Sequence, residues 1–321
     1  MRAIVVERLG GPEELRIAER PDPSPGPGEI QVGVTVAGVN FMDTGVRRFG
    51  PSAGRVPFVP GAEGAGRVTA LGEGVTGHAV GDRVAWVGGG GSYAERLVLP
   101  AARAVPVPDG LSDETAAGVM MQGITAHHFT TEAAPVEPGQ VTLVHAAAGG
   151  LGQKLTQLVK ARGGRVIGLT SSAAKTDVVR RAGADHVVVS TGGAFVERVR
   201  ELTGGEGVHT VFDGGGEATF RASMEVLRRH GTLLYYGPFI GAVPVVSLRD
   251  LPRSIKLCYP VFLDHIPTRE ALLRHTAEIF GMVLDGRLRV DIGGRYPLED
   301  AARAHRDLES RATTGKLLLL P

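Results

Sequence analysis

The spacing of hydrophobic positions changes twice along this chain. Over residues 1 to about 118, short apolar or alternating runs at 30–36, 66–70, 83–87 and 95–99 are separated by proline and glycine. That period-two pattern predicts strands, and the segment reads as all-β. Residues 21–28 hold four prolines and read as an extended connection. Gly88-Gly89-Gly90-Gly91-Ser92 reads as a flexible surface loop. Ser112-Asp113-Glu114-Thr115 then supplies a helix N-cap and first-turn acids, and the helix is predicted to run towards Ala133 with Met120 and Met121 packed as core. From residue 141 strands and helices alternate: strands at 141–144, 165–170, 186–189, 208–213, 232–236 and 255–259, with helices after 149 and at 174–182, 194–202 and 218–229. Near-continuous apolar runs joined by helices are what parallel strands buried on both faces require. A doubly wound α/β sheet follows. The tail predicts a helix at 268–284, a strand at 287–292, a helix at 298–310 and a strand at 316–320. This strand–helix–strand is too small to carry its own core, so it is expected to return to the first domain.

The second change of period is also where chemistry first appears. The run Val141–Val144 ends in His145-Ala146-Ala147-Ala148-Gly149-Gly150-Leu151-Gly152 before a helix with Leu151, Leu155, Leu158 and Val159 on one face. Ala147, Gly149 and Gly152 occupy the three glycine positions of a dinucleotide-binding turn. A pyrophosphate approaching backbone N–H groups tolerates almost no Cβ, and the helix N-terminus adds partial positive charge. Among 47 glycines one such triplet is weak evidence, but the strand–turn–helix context and further glycines after the fourth and fifth strands place it on a ligand-binding sheet edge.

Length and charge narrow the field. The 321 residues suffice for two cores, and 35 basic against 34 acidic residues, spread along the chain, leave no nucleic-acid footprint. No apolar run reaches eighteen residues, and Met1-Arg2-Ala3-Ile4-Val5-Val6-Glu7 reads as a charged strand, not a signal peptide. A cytoplasmic enzyme that avoids membranes is expected. Cys258 is the only cysteine, which rules out an intrachain disulfide or a multi-cysteine zinc site, and it reads as a small buried hydrophobe.

Cofactor preference rests on the end of the second parallel strand. NAD-specific sites place a carboxylate there for the ribose 2′-hydroxyl. Between Glu137 and Asp177 this chain has no acid. Thr170, Ser171 and Ser172 stand there instead, followed by Lys175, with Arg180 and Arg181 beyond. Hydroxyls and an ammonium suit a 2′-phosphate, so the expected cofactor is NADPH. The alternative is that Ser171 merely caps a helix and Lys175 is a solvated charge.

With these residues in hand, the chain resembles the medium-chain dehydrogenase/reductase superfamily, and within it the zinc-free, zeta-crystallin-like quinone oxidoreductases. The likeness is carried by Gly38-Val39-Asn40-Phe41-Met42-Asp43, by Pro60-Gly61-Ala62-Glu63-Gly64-Ala65-Gly66, and by Gly81-Asp82-Arg83-Val84. Gln122-Gly123-Ile124-Thr125-Ala126, the 145–152 turn and the tail Glu309–Lys316 complete it in family order. The resemblance implies a Rossmann domain (119–259) inserted in a GroES-like, partly open β-barrel catalytic domain made of 1–118 and 260–321. It also implies a homodimer. Zinc-dependent relatives use a cysteine where Asn40 stands and a histidine where Ala62 stands, so no metal is expected.

Carried over by position, the resemblance puts Asn40 and Asp43 near the nicotinamide and substrate, and Gln122 and Thr125 on the nicotinamide ribose and amide. Ala147, Gly149, Gly150, Leu151 and Gly152 form the pyrophosphate cradle. Thr170, Ser171 and Lys175 hold the adenosine end, Tyr236 and Gly237 flank the cofactor, and Arg311 and Lys316 reach it from the tail. Two alternatives stay open: Asn40 as a purely structural residue, and Arg311 as an interdomain ion pair. Relatives often carry a tyrosine where this chain has Gly45, so a wider cleft and a bulkier acceptor are expected. The implied reaction is hydride transfer from NADPH to a quinone, whose hydroquinone anion can take its proton from water. The alternatives are reduction of activated C=C bonds in enones or enoyl thioesters, and a non-catalytic NADPH-binding protein.

Overall fold

The computed structural model describes residues 1–51, 55–237 and 244–321. In chain order the first strands are β1 (Arg2–Val5), β2 (Arg16–Glu19) and β3 (Glu29–Val39), followed by α1 (Phe41–Phe49). Then come β4 (Glu63–Leu71), β5 (Arg83–Val87), β6 (Arg96–Pro100), β7 (Val105–Pro106) and α2 (Asp113–His128). The alternating region is β8 (Val141–Val144), α3 (Gly150–Ala161), β9 (Arg165–Thr170), α4 (Thr176–Arg181), β10 (His186–Val189), α5 (Val196–Leu202), β11 (Val208–Asp213), α6 (Glu217–Glu225), β12 (Leu227–Tyr235) and β13 (Lys256–Cys258). The tail holds α7 (Arg269–Leu284), β14 (Ile292–Pro297), α8 (Ala301–Glu309) and β15 (Lys316–Leu320). Among the described residues, no helix is long and apolar enough to cross a membrane.

The chain divides into two compact units. One comprises Met1–Ile124, Leu263–Gly286 and Val290–Pro321; the other comprises Thr125–Phe262 and Arg287–Arg289. In the first, a seven-stranded sheet runs β14-β15-β3-β4-β5-β7, with β6 also paired to β3. The tail strand β15 lies antiparallel on β3, Leu318 opposite Gly38. Strand β3 explains the arrangement: its first half alternates buried and half-buried residues, and its last four are all buried. Half of it therefore lines one face of the sheet, and the rest lies inside the unit. Trp86, Tyr93, Ile30, Val32, Leu317 and Leu319 belong to this core.

In the second unit all six strands are parallel, in the order β10-β9-β8-β11-β12-β13. The order reverses between β8 and β11, which makes the carboxyl ends of those strands the topological switch point where ligands bind in such sheets. Leu143, Ile167, Val211 and Leu233 on these strands pack with Phe195 and Phe220.

Three stretches differ from the sequence expectation. The first segment is not all-β, because Phe41–Phe49 is a helix. Asn40 at its N-cap and Asp43 three residues on have capping-box spacing, Arg47 and Arg48 suit its C-terminal dipole, and Gly50 ends it at φ +89°. The strand expected at 287–292 lies instead at Ile292–Pro297. Leu288 is buried without being in a strand, and Gly293 and Gly294 dilute the apolar signal where the strand really is. The helix expected at 218–229 stops at Glu225, and Leu227 already pairs with Val208 across the sheet. The apolar pair Val226 and Leu227 suits either periodicity, and strand pairing decides.

Candidate functional site

In the parallel unit the turn after β8 builds an anion cradle. Ala146 takes a left-handed φ of +48°, Gly149 N–H bonds back to its carbonyl at 2.8 Å, and Gly149 becomes the N-cap of α3. Gly150, Leu151 and Gly152 are the first helical residues, so their N–H groups have no partner within the helix. A Cβ on Gly152 would strike the Ala146 carbonyl oxygen and sit 2.7 Å from Ala147 Cα, so glycine is what lets the helix close on its strand. Ala147, replacing the first glycine of the pattern, is fully buried.

The neighbouring strand ends are tied together by Asp213, the last residue of β11 and fully buried. Its Oδ1 accepts Gly215 N–H at 2.7 Å and Thr219 Oγ1–H at 2.8 Å. Its Oδ2 accepts Ser223 Oγ–H at 2.7 Å, and Ser223 also bonds His145 Nε2 at 3.0 Å. The Asp213 carbonyl takes Tyr236 N–H at 2.9 Å. One residue thus ties the turns after β8 and β11 through its carboxylate and the turn after β12 through its carbonyl. Burial pulls His145 below its ordinary value, opposed by the nearby Asp213 charge. Gly214 leaves room for the Tyr236 ring, which a Cβ would meet at 2.5 Å, and Gly237 lies against the Gly214–Gly216 backbone.

At the end of β9, Thr170 is 3% exposed and its hydroxyl has no hydrogen-bond partner. An orphan hydroxyl at this depth is a polar group awaiting a ligand or water. Ser171 is exposed, and the N-cap of the short turn Ala173–Lys175 is Ser172, so Ser171 is not the cap. Lys175 is half-buried, and burial lowers its ammonium from the ordinary value. These features fit a nicotinamide dinucleotide: a cradle that Cβ atoms would fill, and an orphan hydroxyl at a strand end whose sequence carries no acid.

In the other unit Asn40, Asp43, Gln122 and Lys316 are joined in one buried network around Glu63. Lys316 and Glu63 are both fully buried and form an ion pair at 2.5 Å. Lys316 Nζ also donates to Val39 O at 3.1 Å and Asn40 Oδ1 at 2.9 Å, so its three donors are used inside this unit. Asn40 Nδ2 donates to Glu63 Oε1 at 2.7 Å, Gln122 Nε2 donates to Asn40 Oδ1 at 3.2 Å, and Met121 N–H bonds Glu63 Oε2 at 2.5 Å. Gly38 packs on the Glu63 carboxylate, leaving no space for a side chain there. Asp43 Oδ2 accepts Asn40 N–H at 2.8 Å and Tyr93 Oη–H at 3.2 Å. Burial pushes Asp43 up to about 7, against the pull of the Asn40 N–H bond and the Lys316 charge. Thr125 is half-buried on α2, and Arg311 is exposed at φ +57° in the turn closing α8, its N–H on Leu308 O at 3.2 Å.

The two positions that hold zinc ligands in metal-dependent relatives do not fit a metal. Ala62 offers a methyl group. The Asn40 amide is fully oriented by Lys316, Gln122 and Glu63, with the Lys316 ammonium already bonded to it. Sequence reasoning missed Glu63, Tyr93, His305 and Asp213 as site-building residues. For Asp213 a signal existed, an acid at a strand end before three glycines. For Tyr93 and His305, which meet across 212 residues, there was none.

Comparison with known proteins agrees with this geometry. The chain matches the family model described as "Alcohol dehydrogenase GroES-like domain" over residues 26–109 and that described as "Zinc-binding dehydrogenase" over residues 182–319. A quinone oxidoreductase of Pseudomonas aeruginosa is 37% identical over 97% of each chain, and a 2-haloacrylate reductase of a Burkholderia species is 34% identical over 99% of this chain and 98% of its own. A mycobacterial protein solved in complex with NADPH is 42% identical over 100% of both chains, with a TM-score of 0.95. Full-length identity at this level, on a GroES-like domain joined to a Rossmann sheet, leaves one assignment: the chain belongs to the quinone oxidoreductases of the medium-chain dehydrogenase/reductase superfamily.

Proposed function

We propose that the protein is an NADPH-dependent quinone oxidoreductase that works without zinc. The observation that carries the cofactor half is the acid-free end of β9, where the buried orphan hydroxyl of Thr170 is followed by Ser171 and Lys175. A carboxylate there would repel a 2′-phosphate; hydroxyls and an ammonium bind it. The names of the full-length relatives support the quinone half.

In this reading the first-turn N–H groups of Gly150, Leu151 and Gly152 bind the pyrophosphate, with Ala147 and Gly149 shaping the turn. Tyr236 and Gly237 flank the nicotinamide half, Gln122 and Thr125 hold its ribose and amide, and Asn40 and Asp43 border the acceptor. Arg311 is retained as an outer contact, whereas Lys316 acts from inside by orienting Asn40. The bound cofactor supplies the hydride; the chain aligns donor and acceptor and excludes water. Bulky quinones are the expected acceptors because Gly45, buried on α1, lacks the tyrosine ring that relatives often carry. A cytoplasmic homodimer, paired along the β13 edge, belongs to the same proposal.

A second reading, reduction of activated C=C bonds, is favoured by the 2-haloacrylate reductase among the relatives. Protonation at carbon would then require a placed donor. Steady-state oxidation of NADPH and NADH against naphthoquinones, phenanthrenequinone, enones and 2-chloroacrylate separates the two. Quinones with NADPH are expected to turn over fastest. Turnover on the alkenes alone would transfer the assignment to the second reading, and a preference for NADH would sink the 2′-phosphate argument. Tight NADPH binding with no turnover would leave a binding protein.

A further inference from the structure

Four buried side chains in the first unit make a hydrogen-bond chain whose direction is fixed by chemistry. Arg47 is fully buried and donates from Nε to Gly10 O at 3.1 Å, from Nη2 to Glu309 Oε1 at 2.7 Å, and from Nη1 to His305 Nδ1 at 3.0 Å. A guanidinium has no acceptor, so His305 Nδ1 must accept. Burial and the Arg47 charge hold His305 down at about 3, so the ring is neutral and its one hydrogen sits on Nε2. Nε2 lies 3.1 Å from Tyr93 Oη and donates to it, and the single Tyr93 hydroxyl hydrogen goes on to Asp43 Oδ2. The chain therefore runs one way, from Arg47 through His305 and Tyr93 to Asp43.

Reversing it would put a hydrogen on His305 Nδ1, facing the Arg47 N–H. A proton on Asp43 Oδ2 would face two donors, the Asn40 N–H and the Tyr93 hydroxyl. The other oxygen, Oδ1, is not held in this way. We propose that Arg47, His305 and Tyr93 are positioning residues for turnover, forming a one-way chain that keeps Asp43 Oδ2 an acceptor and confines the exchangeable proton of the carboxyl to Oδ1. The proposal rests on the reading that Asp43 stands beside the reacting atoms.

Its consequence is electrostatic. Hydride arrival carries two electrons to the quinone, leaves NADP⁺, and produces a hydroquinone anion that takes one proton from water. A neutral Asp43 tolerates that new negative charge, and a carboxylate opposes it. The charged and titratable groups facing Asp43 are Tyr93, Lys316 of β15 and Glu63 of β4, with His305 and Arg47 behind Tyr93. Turnover should therefore fall as pH rises through about 7, the value to which Asp43 is pushed. Because the chain stabilises the carboxylate, cutting it moves that fall to higher pH.

The test is a ¹³C-carboxyl NMR titration of Asp43 in the full chain, assigned with Asp43→Asn, beside the pH profile of kcat with a naphthoquinone. Tyr93→Phe should raise both midpoints by about one pH unit. His305→Leu, which cuts the chain one link earlier, should move them the same way. His305→Gln can present its amide oxygen to Arg47 and its NH₂ to Tyr93, and should leave them near the wild-type values. An NMR midpoint unmoved in both Tyr93→Phe and His305→Leu overturns the chain. An NMR midpoint that moves while that of kcat does not overturns its role in turnover, and with it the placement of Asp43 beside the reacting atoms.

Discussion

Replacing Lys316 with methionine is the sharpest stability test of the site. Lys316 and Glu63 are fully buried, and the ammonium bonds Glu63 Oε1, Asn40 Oδ1 and Val39 O. Methionine fills most of the stem's volume but removes the charge, leaving Glu63 with only the Asn40 Nδ2 and Met121 N–H donors. Removing one partner of a buried pair costs about 3–5 kcal/mol, because the remaining charge is uncompensated. The double variant Lys316→Met/Glu63→Gln should recover most of that loss. With the lysine gone, the Asn40 amide can turn over and accept from the new amide nitrogen, and replacing both members of a buried pair is often close to neutral. Trp86, the only tryptophan, is buried in the same unit with its Nε1–H on Ser92 Oγ at 2.9 Å, so its emission follows this unit during urea unfolding. A single-variant loss below about 1 kcal/mol, the range of exposed pairs, would refute the buried-pair reasoning. So would a double variant no better than the single one.

Three further outcomes follow from the same structure. Lys175→Ala should weaken NADPH binding roughly tenfold and leave NADH almost unchanged in a fluorescence titration; equal losses would remove the lysine from the 2′-phosphate. Gly152→Ala drives a Cβ into the Ala146 carbonyl and should cost NADPH affinity roughly tenfold or more in the same titration; unchanged affinity would remove this turn from the pyrophosphate. Asp43 binds its proton more tightly folded than unfolded, about 7 against 3.8, so its contribution to stability is fullest below pH 3.8 and is lost as pH rises to 7. The full loss is on the order of 4 kcal/mol. The difference in urea stability between wild type and Asp43→Asn should carry that slope, and a flat difference would contradict it.

The dinucleotide turn was legible because local rules govern it: a strand, glycines that only close packing explains, and a helix start. The acid-free end of β9 was likewise legible locally, since a missing acid can be read directly. Helix α1 was missed because Gly45 and the prevailing strand pattern outweighed Asn40 and Asp43, whose capping spacing was in plain view. Strand β14 was misplaced because pairing with β15, not its own composition, holds Ile292 and residues 294–297 in the sheet, with Gly293 skipped in the register. The buried network was beyond sequence reading for a different reason. Lys316 meets Glu63 across 253 residues, and Arg47 meets His305 across 258. No periodicity announces such pairs, and only the antiparallel return of β15 onto β3 brings the tail lysine to Asn40. Lys316 was expected to reach the cofactor from the tail, and its three donors prove to be used within the protein itself.

The most direct test of the central claim is single-turnover oxidation of NADPH by chelator-treated protein mixed with phenanthrenequinone, with NADP⁺ and hydroquinone measured together. Metal-free hydride transfer predicts that both appear one for one at the untreated rate, and that added zinc changes nothing. Loss of turnover on chelation with recovery on zinc addition, or NADPH consumption without hydroquinone, would contradict it.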